Sequence, residues 1–234
     1  ITANIYQLRK GMDGCELVNY YDESAAPVKI PLDRTLAPAQ NAQKYYKKYN
    51  KQKRTLAAVA PQKEEALSDL DYTNSMLSAL ARAENMLDLA EIEEELRAAG
   101  LLPPLKRKAK QAPAVPFRAF KKDGFHIFAG RNNVQNDRLL REAAGGDIWL
   151  HTQKYHSAHV LIRTEGKKVP DAVLLAAAEI CAYFSDGQAG NKIPVDWCER
   201  RFVKKPPKSK AGFVVYTDFK TILADPNRHT ELEK

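Results

Sequence analysis

A chain of 234 residues with 44% apolar content is long enough for one or two packed domains and too apolar for a disordered tail. Its charge is uneven: residues 1–100 hold 13 Lys+Arg and 15 Asp+Glu, leaving 24 against 14 for residues 101–234, so the basic character belongs to the second half. Three cysteines without CxxC spacing speak against a disulfide framework or zinc knuckle and for free thiols in a reducing, cytoplasmic setting, and no run of about 18 apolar residues predicts a membrane span.

The opening ITANIY has no Met and no signal-like apolar core, which suggests a fragment of a longer protein. Thr2 to Gln7, Glu16 to Tyr21 and Val28 to Pro31 read as short β-type pieces around Asp13-Gly14, hence a small β cap. Pro38 then opens a helix whose Tyr45, Tyr49, Leu56 and Val59 form a coiled-coil-type seam over Ala39 to Ala60. Pro61 should restart or kink it. Leu67, Leu70, Leu77, Leu80 and Leu87 continue the stripe to Gly100, where Pro103-Pro104 ends the helix. Such a stripe needs a partner: a helix upstream of Ile1, a second copy through self-association, or Ala39 to Ala60 folding back on Lys63 to Ala99.

Residues 101–116 combine four prolines with Lys106, Arg107, Lys108 and Lys110, the composition of a tether. Beyond it, Phe117 to Phe120 and Phe125 to Ala129 read as strands joined at Asp123-Gly124. Gln135 to Ala144 is amphipathic and helical, Asp147 to Leu150 and His159 to Arg163 are strands, and Pro170 opens an alanine-rich helix to about Ser185. Arg200 to Lys204, Phe213 to Thr217 and Phe219 to Leu223 add strand-like pieces. The predicted class is α+β, with long coiled-coil-type helices and a β cap over 1–100, a linker over 101–116, and a mainly antiparallel sheet domain over 117–234.

The chemistry concentrates between Gly130 and His159. Arg131, Asn132, Asn133, Gln135 and Asn136 offer many donors and acceptors, which would cost about 1–3 kcal/mol apiece if buried without partners, so an open polar face is their expected home. The alternative is a turn in which the asparagines bond their own backbone. Trp149 could stack on a base, although an aromatic inside a strand is more often core. His151, His156 and His159, with Ser157 between them, suit polar contact with RNA or loop support better than a metal site, and an acid–base hydrolase built on His151 and His159 lacks paired carboxylates. Arg163 closes the next strand. A second basic element, Arg201, Lys204, Lys205, Lys208 and Lys210 around Pro206-Pro207, suits phosphate contact. No Walker loop, dinucleotide fingerprint or nucleophile elbow occurs, and no cofactor is expected.

Gly130-Arg-Asn-Asn, Gln135-Asn-Asp137, Asp147-Ile-Trp-Leu-His151 and His159-Val together resemble the RNA-binding domain of the NFACT family. The segment departs from the family at Ser157-Ala158, where Gly-Ser is usual. The resemblance implies a coiled-coil arm with a basic domain that contacts tRNA and the large ribosomal subunit, within a whole protein that helps add alanine tails to stalled nascent chains. Many bacterial members carry an older label, fibronectin-binding protein, which implies an adhesin or scaffold as the alternative.

Overall fold

Residues 1–104 and 115–227 are described by a computed structural model, whose contacts divide the chain into two compact units, Ile1–Leu67 and Ser68–Lys234. The division falls inside a helix. The basic cluster expected at Lys106, Arg107, Lys108 and Lys110 lies outside the described residues.

In the first unit Thr2–Gln7 is a 3-10 helix and not the expected strand. Strands β1 (Gly14–Val18) and β2 (Pro27–Pro31) pair antiparallel. Asn41, at the start of helix α1 (Pro38–Ala81), accepts from the Asp33 amide at 2.8 Å and donates to the Asp33 carbonyl at 3.0 Å, and Tyr45 Oη donates to the Pro31 carbonyl at 2.7 Å. These bonds moor the hairpin to the helix. Pro61 lies inside α1 without ending it, a correction to the expected restart. Residues 51–70 are all exposed, so water can satisfy the carbonyl that a proline leaves unpaired.

In the second unit the helix breaks at residues 82–85, and α2 (Met86–Ala98) follows, its N-cap Asn85 accepting from the amides of Leu87 and Asp88 at 3.0 Å each. Gly100, at φ +75°, closes α2 with the Leu101 and Leu102 amides bonded to the Leu96 carbonyl. Met76, Ala79 and Ile92 are buried, while Leu70, Leu77, Leu80 and Leu87 of the expected seam stay exposed.

A six-stranded antiparallel sheet forms the body of this unit. Its strands are β3 (Arg118–Lys122), β4 (Phe125–Ala129), β5 (Ile148–Thr152), β6 (Val160–Arg163), β7 (Ile193–Glu199) and β10 (Lys220–Ala224), in the order β10-β7-β5-β6-β4-β3. The β3–β4 turn uses Asp123 and Gly124, both at positive φ, as a two-residue hairpin of this twist requires. Strand β7 carries Pro194 and is absent from the sequence-based reading, because a proline in a short apolar run argues against a central strand.

Alternation along β5 assigns the two faces. Ile148 and Leu150 join the core beneath α4 (Asp171–Tyr183), whose Ala176, Ala177, Ala178 and Cys181 are buried against the sheet. Trp149 points the other way, into a second core with Leu139 and Leu140 of α3 (Asn133–Glu142) and Val203 of a short hairpin, β8 (Val203–Lys204) and β9 (Val215–Tyr216). The fold is therefore α+β with a mainly antiparallel sheet, as expected.

Candidate nucleic-acid interface

Helix α3 opens on Asn132, whose side-chain oxygen accepts from the Gln135 amide at 2.8 Å. The remaining polar groups of this turn face carboxylates of α2 and of Glu84 just before it. Asn132 Nδ2 and Gln135 Nε2 both donate to Glu91, at 2.8 and 2.6 Å, and Asn133 Nδ2 donates to Glu95 at 3.0 Å and to Ser75 at 2.9 Å. Arg131 pairs with Glu84 at 3.2 Å and Asp88 at 3.3 Å. Asp88, Glu91 and Glu95 recur at steps of three and four along α2, which places them on one helical side, and Glu84 stands just before the Asn85 cap.

Asn136 is buried beneath the same turn and accepts the His159 backbone amide at 3.0 Å. A Cβ at Gly130 would stand 2.1 Å from Asn136 Oδ1, so glycine is needed there by close approach. The expectation of an open, amide-studded face is thus corrected. Asn132, Asn133, Gln135 and Asn136 are buried and Arg131 is largely covered, because acids placed 38–47 residues earlier in the chain supply the missing partners.

Trp149 and His159 turn inward as well, while His151 and His156 are partly buried. Trp149 has no exposure, lies parallel to His151 with ring centroids 5.8 Å apart, and meets His159 edge-on at 5.3 Å and Tyr216 at 4.8 Å. Trp149 has no face left for a base. Burial pushes the His151 imidazole down to about 4 and holds His159 well below its ordinary value, so both are neutral near pH 7. With His159 sealed from solvent, His151 and His159 do not form the accessible acid–base pair a histidine hydrolase would use. His156 lies 3.7 Å from Asp71, and buried Ser157 Oγ accepts the Thr152 amide at 3.3 Å. Arg163 is held by Asp147 at 3.0 Å and the Glu142 carbonyl at 2.7 Å.

The second basic element remains at the surface. Arg201, Lys204, Lys205, Lys208 and Lys210 are all exposed on the β8–β9 hairpin and the residues before it. Lys205 pairs with Asp137 at 2.8 Å and donates to the Lys210 carbonyl at 2.8 Å, which shapes the loop. Lys210 meets Asp69 at 2.8 Å and its ammonium lies 5.6 Å from the Tyr72 ring centroid. Arg201 pairs with Glu199, whereas Lys204 and Lys208 have no ionic partner among the described residues.

Around these cations stand apolar groups that charge-based reading missed. Phe213, Val215 and Phe219 are about half exposed, at 49%, 47% and 48%, and Val215 sits directly across from Lys204 in the hairpin. Their signal in the sequence is a pair of phenylalanines next to lysine-rich turns, the interleaving that lets a surface hold phosphates and bases together. Arg141, at the end of α3, is exposed too.

Comparison with known proteins supplies independent relationships. Residues 1–114 match the family model described as NFACT N-terminal and middle domains, and residues 115–217 match the NFACT protein RNA binding domain. The chain is 37% identical over 238 residues to "Rqc2 homolog RqcH" of Bacillus subtilis (strain 168), covering 100% of this chain and 41% of the relative. It is 35% identical over 230 residues to the protein of the same description from Streptococcus pneumoniae (strain ATCC BAA-255 / R6), covering 97% and 41%. The chain thus spans about two fifths of the length of these curated relatives. Among solved structures, the C-terminal part of the fibronectin/fibrinogen-binding protein from Streptococcus suis superposes with a TM-score of 0.76 at 34% identity, over 84% of this chain and 80% of that one.

Proposed function

Because the chain belongs to the NFACT family, we propose that it is the RNA-binding part of a ribosome-associated quality-control factor. It contacts tRNA and the large ribosomal subunit while the whole protein extends stalled nascent chains with alanine. The observation that carries this reading is the exposed group of Arg201, Lys204 and Lys208 beside half-exposed Phe213 and Phe219. Lysine and arginine take phosphates without reading sequence, and exposed rings accept unpaired bases. The buried amides of α3 and the Trp149 cluster act one layer below, as the support that holds the hairpin in place.

Binding of tRNA and of isolated large subunits to the full chain, measured at rising salt, tests the proposal. Charge reversal at Lys204 and Lys208 should weaken both and flatten the salt dependence. Affinity untouched by these changes would remove the hairpin from the interface. The name of the Streptococcus suis neighbour favours a second reading, attachment to fibronectin. Fibronectin capture by the chain without measurable RNA affinity would favour it.

A further inference from the structure

At the end of the sheet where β5 begins and β6 and β7 finish, a groove of about 940 Å³ opens between strand ends and the start of α4. Its volume falls in the range of about 300–1,000 Å³ typical of small-molecule sites. Trp197, half buried, forms part of its floor, and Lys220 stands directly across from Trp197 in the β7–β10 register, its ammonium 5.4 Å from a Trp197 ring centroid.

The groove is rimmed by a turn built to hold its shape. Asp147, buried, accepts from the Thr164 amide at 3.0 Å, the Ala144 amide at 2.9 Å and Arg163 at 3.0 Å. Glu165 and Gly166 then take positive φ, and the exposed Lys167 and Lys168 follow. The carboxylates nearby are largely committed: Asp147 as described, Glu165 to Lys167 at 3.2 Å, and Glu199 to Arg201. Lys168 and Lys220 have no ionic partner among the described residues, so with only Asp171 unengaged the groove favours an anion that also presents a flat ring.

We propose that this groove seats one nucleotide of a single-stranded RNA segment, its base against Trp197 and its phosphate on Lys168 and Lys220. The inference rests on the RNA-binding reading and extends it to a second surface. The two are contiguous: Ala144 and Gly146 line the groove, and a Cβ on the intervening Gly145 would lie 3.7 Å from Arg201 Cβ. An acidic peptide could satisfy the lysines, but it would leave the half-buried indole of Trp197 without a ring to meet it.

The chain contains two tryptophans, and Trp149 has no exposure, so quenching of intrinsic fluorescence reports on Trp197. Short oligo(A) titrated into the full chain should quench that emission. Trp197→Leu should weaken oligo(A) binding about tenfold, the loss of one base stack, with Trp197→Tyr retaining most of the affinity. Lys168→Glu, at an exposed position, should weaken it too. If labelled oligo(A) binds in a manner sensitive to Lys204→Glu but indifferent to Trp197→Leu and Lys168→Glu, the groove is overturned while the hairpin surface stands. Absence of any RNA binding overturns both. Polyglutamate quenching as strong as that of oligo(A) overturns the groove as an RNA site and assigns it to acidic protein segments.

Discussion

The side-chain amide of Asn133 donates to the carboxylate of Glu95 across 3.0 Å, tying the first turn of α3 to a helix 38 residues earlier in the chain. Glu95 is 3% exposed and its other partner on that oxygen is the Tyr72 hydroxyl at 2.9 Å. Removing the amide with Asn133→Ala leaves a buried acceptor short of a donor, at an expected cost of about 1–3 kcal/mol in denaturant unfolding. Burial raises the Glu95 pKa above its ordinary 4.5, so the folded chain holds that proton longer, and the group's contribution to stability shrinks as pH rises from about 4.5. Glu95→Gln should therefore gain on the native chain as pH rises through that window. A pH-independent difference would contradict this.

Gly212 has φ +77°, and a Cβ there would lie 2.6 Å from Asn133 Oδ1. Gly212→Ala combines left-handed strain with a contact on a side chain already fixed by Glu95 and Ser75. We expect a loss of about 1–3 kcal/mol, since strained backbone positions cost that order. Gly146 has nothing within 4 Å of the added carbon and a φ outside the left-handed region, so Gly146→Ala should change the unfolding midpoint far less.

Acidification should destabilise the fold through His151. The unfolded chain takes up this proton below about 6.5, whereas the folded chain refuses it until about 4. The folded pKa is depressed, so the contribution is complete above 6.5 and is lost as pH falls towards 4. The size of the effect at pH 4 is roughly 3 kcal/mol. His159 is shifted in the same direction. Urea midpoints measured across this range should fall steadily, and His151→Leu should flatten the slope.

Two sets of charges should behave differently towards RNA. Losing one phosphate contact lowers the slope of log affinity against log salt by about 0.7 for single strands, so Lys204→Glu with Lys208→Glu should reduce it by one to two such steps. Arg131→Ala breaks pairs with Glu84 and Asp88 inside the fold. It should lower the unfolding midpoint and leave the salt slope unchanged. A slope that responds to Arg131 and ignores the lysines would reverse the assignment.

Local chemistry made much of this fold legible. Asp123-Gly124 between two phenylalanine-rich runs specifies the β3–β4 hairpin, Pro170 opens α4, and the break at Gly145-Gly146 separates α3 from β5. What stayed hidden was set at a distance. The amides of α3 read as free because their acidic partners belong to a helix dozens of residues away, although the spacing of Glu84, Asp88, Glu91 and Glu95 and the Asn85 cap were both visible. Strand β7 was obscured by Pro194, which a central strand accommodates near its start. Of the site, the hairpin lysines are where the sequence suggested, whereas the exposed rings beside them emerge only once alternation has turned Val203 and Tyr216 inward.

The acid stripe of α2 also bears on where this protein can be cut. A gene segment encoding residues 115–217 alone would omit Glu84, Asp88, Glu91 and Glu95, stranding Arg131, Asn132, Asn133 and Gln135 without these counterparts. It would also omit β10, whose Ala224 is buried against the sheet. The compact unit that keeps these partners together begins at Ser68, which makes the end of the long helix an integral wall of the basic domain and not its handle.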